Sequence, residues 1–430
     1  GEIMEHNVNT VNEHCLNNII KLSQVKQVTA AEDIFDERGT KLWARDAEIT
    51  PALQEQLLRR KLRKPLEKTL AVAGGINSDA ILQEALNLYD TIPALGCFMG
   101  AEKAAVLETL TVARLDPVAL LLLTTAQENG SGGFRHAVLV SLIATSIGIH
   151  RASWGVAPTV LALGGLLHDI GELYINPDYL YSKRKLLPDE WKHVAVHPRI
   201  GQMVLEDLAQ YPQEVSRAVG EHHERFDGTG YPRQSAGAKI SAAGQILAIA
   251  EMLSGIISRK DNVLARSCLA MKLVPGEHPH ELISLVSTLR RQHNGSLLEP
   301  GMDFKGQNVV LKTQQVAGTL SATLAECDRL ELEAGVTAAQ TEFVQRVRYR
   351  ITVLSKALKA TGIEDCLSGA DLAAMSDEEG EICLELDVIG REIEWRLRDI
   401  AREVSLRLDD TDQKWRGALS GLIAKLDGGV

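Results

Sequence analysis

Seven of the twelve histidines of this 430-residue chain lie between residues 136 and 223, at positions 136, 150, 168, 193, 197, 222 and 223. A fold that gathers so many imidazoles must either leave them at the surface or bury them with compensating charge, because buried polar groups need partners. His168 and Asp169 sharpen that constraint. They follow the apolar run Leu161-Ala162-Leu163-Gly164-Gly165-Leu166-Leu167, which predicts a buried helix with an imidazole and a carboxylate at its inner end. An ionised Asp in that position is costly unless a cation or a hydrogen-bond network neutralises it. His136, His197, His222 and His223 can supply further imidazoles from separate helices, as helical bundles do when they build an interior site. His150 and His193 read as ordinary core or surface histidines.

The rest of the chain favours helix. Aromatic residues are only 4%, strand-like runs are scarce, and Leu, Ala, Glu and Arg recur at helical spacing. Residues 1–25 are polar and Asn-rich and are expected to be a frayed or weakly helical lead-in without chemistry. Residues 26–100 read as a small α/β domain. In it, Ala31–Phe35 and Thr40–Ala44 flank the turn Asp36-Glu37-Arg38-Gly39, and Thr50-Pro51 opens a helix. Residues 101–300 read as a helical catalytic domain and 301–430 as a helical bundle or dimerisation tail. Two apolar stripes mark the tail: Phe343, Val347, Ile351, Leu354 and Leu358, then Ile382, Leu386, Ile389, Ile393, Leu397, Ile400 and Val404. A homodimer is expected from them.

Charge and cysteine usage exclude several classes. A net charge of −11 has the wrong sign for a broad surface that grips a nucleic-acid polymer. The six cysteines are scattered, with no Cys-x-x-Cys pair to suggest a disulfide framework or a thiolate zinc site. Imidazole and carboxylate without thiolate suit iron, manganese or similar divalent cations. No apolar run approaches the roughly 18–20 residues of a membrane span, and the N-terminal residues lack a basic-then-apolar leader pattern. A cytoplasmic location is therefore expected.

The segment His222-His223-Glu224-Arg225-Phe226-Asp227-Gly228-Thr229-Gly230-Tyr231-Pro232 resembles the HD-GYP family. All eight fixed positions of that family's pattern, His-His-Glu-x-x-Asp-Gly-x-Gly-Tyr-Pro, are present. His168-Asp169-Ile170-Gly171 resembles the family's His-Asp-x-Gly-Lys signature, and His136 and His197 match its flanking lone histidines. The resemblance covers roughly residues 101–300. It implies a mainly α protein with an HD-superfamily helical domain that holds two divalent metal ions, iron or manganese, and hydrolyses cyclic di-GMP to linear pGpG, with GMP left open as a further product. Asp169 would bridge the ions, with His136, His168, His197, His222, His223 and Glu251 completing the ligand set. Asp169 and His168 would be the catalytic pair. Two such cations about 3.5–4 Å apart, bridged by a carboxylate and a hydroxide, would activate the nucleophile and neutralise the phosphodiester. The turn containing Glu224, Asp227, Gly228 and Gly230 would form a lip over the site, with Tyr231 and Pro232 towards the ligand.

This sequence departs from the family at several positions. The signature Lys is Glu172, an anion beside the expected phosphate, which would either weaken substrate binding or serve as a metal ligand. Glu251 stands where the family places a metal-binding Asp. The Arg-rich stretch downstream is reduced to Arg259 and Lys260, the nearby candidates for phosphate or guanine contacts. Gly132 stands where some relatives place a Glu for a third metal, so two ions are expected. Glu172 and Glu251 keep open a weak or inactive signalling module that binds a cyclic dinucleotide or a partner protein. The reduced basic stretch keeps open a phosphohydrolase acting on another nucleotide.

Overall fold

The computed structural model describes residues 10–129, 133–184, 186–258, 276–292, 306–333, 335–359, 377–408 and 413–427. The helices are α1 (Glu13–Ser23), α2 (Pro51–Leu58), α3 (Ser78–Thr91), α4 (Leu95–Met99), α5 (Lys103–Val112), α6 (Pro117–Glu128), α7 (Gly133–His150), α8 (Pro158–Leu167), α9 (Pro177–Leu180), α10 (Pro188–Ala195), α11 (His197–Leu208), α12 (Gln213–Glu221), α13 (Ala242–Ile257), α14 (His280–Gln292), α15 (Gly306–Glu331), α16 (Ala338–Lys359), α17 (Asp377–Leu406) and α18 (Gln413–Leu426). The strands are β1 (Val28–Ala30), β2 (Ile34–Phe35), β3 (Lys41–Trp43) and β4 (Leu70–Val72). The protein is mainly α, with a small N-terminal strand unit, as the sequence predicts.

Two compact units divide the chain: 1–186 with 190–258 and 278–293, and 187–189 with 259–277 and 294–430. In the first, α7, α8, α11, α12 and α13 pack on one another. The α7–α8 crossing is close because Gly165 has no side chain; a methyl there would run into the Ser141 backbone. Ser141 Oγ reinforces the crossing by donating to the Ala162 carbonyl at 2.8 Å. α7 is long and apolar enough to cross a membrane by length and composition, against the expectation from its sequence, where Arg135 and His136 break the apolar run. Thirteen consecutive or near-consecutive residues from Phe134 to Gly148 are buried in this unit instead.

The strands form two antiparallel pairs. β2 pairs with β3, Ile34 opposite Trp43, around Gly39 at φ 84°, the hairpin legible in the sequence. β1 pairs with β4, Val28 opposite Val72, a non-local pairing that no local pattern announces. Within the lead-in the helical alternative is the one that forms, as α1. Asn12 caps it by accepting from Cys15 N at 2.9 Å, and Cys15, Leu16, Ile19, Ile20 and Leu22 are buried on one face. That face packs on α6 and on a 3-10 turn, Ile170–Tyr174. Apolar residues three and four apart are enough to anchor a short helix once a neighbouring surface exists.

In the second unit α15, α16, α17 and α18 form a bundle. Its core holds Phe343, Val347, Ile351, Leu354 and Leu358 of one predicted stripe and Ile389, Ile393, Leu397, Ile400 and Val404 of the other; the side chain of Ile382 lies outside the described residues. Arg396, 1% exposed, meets Glu277 at 3.0 Å and Glu392 at 3.2 Å. Replacing Arg396 with Met removes a buried counter-charge that Glu277 and Glu392 share. It is expected to cost about 3–5 kcal/mol, measured as a lower urea midpoint for the transition of this unit.

Candidate metal centre

Four helix ends and one helix interior converge in the first unit. His168 follows α8 directly, and its Nδ1 faces the Gly165 carbonyl at 2.8 Å. His197 opens α11 with Nδ1 2.9 Å from Val194 O, and His222 closes α12 with Nδ1 2.6 Å from Val219 O. Each carbonyl requires the proton on Nδ1, which turns the Nε2 lone pair inward. His136 projects from α7 and Glu251 from α13.

Around Asp169 these groups form two sets of close donors: His136, His168 and Glu251 in one, His197, His222 and His223 with Asp169 in the other. Asp169 Oδ2 lies 3.0 Å from His168 Nε2 and 3.6 Å from His136 Nε2, while Oδ1 lies 3.3 Å from His197 Nε2 and 3.6 Å from His222 Nε2. One carboxylate thus turns one oxygen to each set. Within the sets, His136 and His168 approach through Nε2 at 3.2 Å, as do His197 and His222. Adjacent ligands about 2.1 Å from a divalent ion in octahedral geometry stand roughly 3 Å apart, so these separations fit shared coordination edges. Glu251 Oε2 is buried and accepts no hydrogen bond, 3.0 Å from His136 Nε2 and 3.3 Å from His168 Nε2. A buried carboxylate oxygen that faces two imidazole nitrogens and has no other donor suits a cation site. The donor set fits a pair of hard-to-borderline divalent ions.

The electrostatics agree. Burial acts to raise Asp169, but His168, with His197 and His222, outweighs it and holds the carboxyl well below its usual range. Burial opposes ionisation of Glu251 as well, and His136 and His168 reverse that. Burial lowers His222 to about 4, and it lowers His223 well below the ordinary imidazole value with His222 and His197 adding to the effect. Both are therefore neutral near pH 7, as ligation requires. For His136, His168 and His197 burial also lowers the value, but the facing carboxylates outweigh it and raise it. Cation binding at these three would be coupled to proton release.

The other residues singled out from sequence stand around this core. Glu172 lies on the 3-10 turn after Asp169, and burial followed by the charge of Asp169 raises it to about 7. It lines a small cleft with Asp169, Asn18, Asn129, Leu166 and Tyr181. Tyr231 is stacked on His223, ring centroids 4.6 Å apart, and edge-on to Trp191 at 5.6 Å. Half-buried Pro232 follows it in the same turn. Glu224 is turned to its own loop, accepting from Arg233 N at 2.7 Å and Ser235 N at 2.9 Å. Asp227 Oδ1 accepts from Thr229 N at 3.0 Å, and Gly228 takes φ 80°. Gly230 passes against the backbone of His223, Glu224 and Arg225, where a methyl has no room. Arg259 and Lys260 lie outside the described residues.

Sequence inspection missed the parts that aim the donors. Glu221 Oε2 accepts from Ser241 N at 2.9 Å and from Ser241 Oγ at 2.5 Å, which fixes the start of α13 and so the reach of Glu251. Gly244 leaves room for that carboxylate. The one available signal was Ser241 as a helix cap.

A helical core that centres imidazoles on an adjacent His-Asp pair defines an HD domain, and residues 126–266 match the HD domain family. With the complete motif from His222 to Pro232, this stretch, about a third of the chain, is an HD domain of the HD-GYP type. The chain is 34% identical over 128 residues to a 3'3'-cGAMP-specific phosphodiesterase of Vibrio cholerae, covering 29% of this chain and 26% of that protein. It is 28% identical over 137 residues to a cyclic di-GMP phosphodiesterase response regulator of Xanthomonas campestris, covering 31% and 35%. It is 34% identical over 144 residues to a cyclic di-GMP phosphodiesterase of Pseudomonas aeruginosa, covering 33% and 34%. The chain thus spans a quarter to about a third of the length of these relatives.

Proposed function

We propose that this chain is a cytoplasmic, metal-dependent phosphodiesterase that opens cyclic di-GMP to linear pGpG, with GMP left open as a second product that the assay below distinguishes. The observation that carries the reading is the carboxylate of Asp169 placed between two imidazole-rich donor sets. His136, His168, Glu251 and Asp169 Oδ2 would hold one divalent ion, and His197, His222, His223 and Asp169 Oδ1 a second, iron or manganese by donor chemistry. Such ions, when bound, supply positive charge for the phosphodiester and acidify water. The chain's own contribution is orientation: backbone carbonyls fix three imidazoles, Tyr231 packs His223 in place, and the buried surroundings keep His222 and His223 neutral.

The test is product analysis after anaerobic incubation of Mn- or Fe-loaded protein with cyclic di-GMP and, in parallel, with 3'3'-cGAMP, the substrate in one relative's name. Linear product from the parent and none from Asp169→Ala supports the reading, and the faster substrate identifies the preference. Intact substrate with confirmed metal overturns it.

Glu172 favours a second reading, a slow or inactive module that binds the dinucleotide, because a carboxyl raised to about 7, and so partly ionised at neutral pH, stands where the family places a Lys. Glu172→Lys replaces repulsion by attraction at partly buried range. At an effective dielectric near 20 the substrate is expected to bind roughly tenfold to a hundredfold more tightly. Calorimetric titration with a non-hydrolysable cyclic dinucleotide measures it, and a drop in metal content instead would make Glu172 a ligand.

A further inference from the structure

The carboxylate of Asp169 faces imidazoles, so its position is set by the backbone that carries it. That backbone is the 3-10 turn Ile170–Tyr174, in which Glu172 N donates to Asp169 O at 2.9 Å and Ile175 N to Glu172 O at 3.0 Å. The N-terminal segment grips the far side of this turn at three points. Asn18 Nδ2 donates to the Leu173 carbonyl at 3.0 Å, and Asn12 Nδ2 to the Tyr174 carbonyl at 3.3 Å. The Tyr174 hydroxyl donates to Glu67 Oε1 at 2.7 Å in a fully buried contact, with Cys15 Sγ 3.9 Å from the same oxygen. Burial, helped by Cys15 and Glu67, keeps the Tyr174 phenol well above its ordinary pKa, so it stays a donor. These bonds join α1 and the Leu66–Thr69 turn directly to the segment that carries the shared ligand.

We infer that Asn18, Tyr174 and Glu67 are positioning residues for the metal centre, holding the Ile170–Tyr174 turn so that Asp169 reaches both donor sets. The N-terminal segment then belongs to the metal-binding machinery and is not merely a flanking region. The inference rests on the metal-dependent reading above but not on the identity of the substrate. Partners that orient metal ligands from behind typically contribute tenfold to a hundredfold to metal affinity.

The experiment titrates the full chain with Mn(II) by calorimetry, well below the unfolding temperature of each variant. Tyr174→Phe and Asn18→Ala are expected to raise the Mn(II) dissociation constant about tenfold each. Glu67→Gln keeps an acceptor oxygen for the Tyr174 hydroxyl and is expected to remain within about twofold of the parent, whereas Glu67→Leu is expected to match Tyr174→Phe. A lower melting temperature with parental Mn(II) affinity in all of them would reduce these contacts to fold stability and overturn the inference. If the parent binds Mn(II) but leaves both cyclic dinucleotides intact, the proposed activity fails while the titration still decides the positioning role. If the parent binds no Mn(II), both fall.

Discussion

Asp169→Ala is expected to empty the centre of both ions and to lower turnover by about a thousandfold or more, some 4 kcal/mol of transition-state stabilisation. Every other candidate ligand belongs to one donor set, but Asp169 contributes an oxygen to each. Its loss therefore removes a ligand from both ions and also the charge that His168, His197 and His222 face. His223→Ala, by contrast, touches one set and is expected to leave the His136, His168 and Glu251 site loaded. Metal content by elemental analysis separates the two cases: close to none for Asp169→Ala, about half the parental content for His223→Ala. A fully loaded Asp169→Ala protein would sink the bridging role. The fold should survive, since Asp169 is half-buried at the mouth of the cluster and supports no helix crossing.

The same residue shows what the sequence can and cannot disclose. The spacing of His168-Asp169 after an apolar run and the motif from His222 to Pro232 point to the cluster because the chemistry needs those residue types. The apolar stripes at 343–358 and 386–404 point to the bundle because helical period and burial are both local properties. What stays hidden is non-local. Nothing near Val28 announces Val72 as its partner. Nothing in the Asn-rich N-terminus shows that Asn12 and Asn18 meet carbonyls at 174 and 173. Glu251 was legible only through family resemblance; in space its buried oxygen stands 3.0 Å from His136 and 3.3 Å from His168, which groups it with them. Glu224, inside the motif, proves to be committed to loop amides, a distinction that spacing cannot make because a carboxylate looks alike whether it faces a cation or a backbone N–H.

The glycines of the run Gly164-Gly165 and of Gly171 carry the second large effect, since sequence treats them alike and structure does not. A methyl at Gly164 would sit 3.5 Å from a Leu247 methyl, in ordinary contact. Gly164→Ala is therefore expected to be neutral or to stabilise α8 by up to about 1 kcal/mol through helix propensity. A methyl at Gly171 would collide with the His197 carbonyl and stand 2.7 Å from Gly201 N, both backbone atoms of α11 that cannot swing aside. The strain must move the Ile170–Tyr174 turn away from α11, and with it Asp169 away from His197. Gly171→Ala is expected to cost about 1–3 kcal/mol of stability from overpacking. It should also weaken Mn(II) binding by a hundredfold or so, because the 3.3 Å approach of Asp169 Oδ1 to His197 Nε2 is lost. Urea unfolding and Mn(II) titration on the two alanine variants, side by side, measure both effects. Parental metal affinity in Gly171→Ala would mean that the turn relaxes without carrying Asp169 along, and the close packing of turn on helix would then serve stability alone.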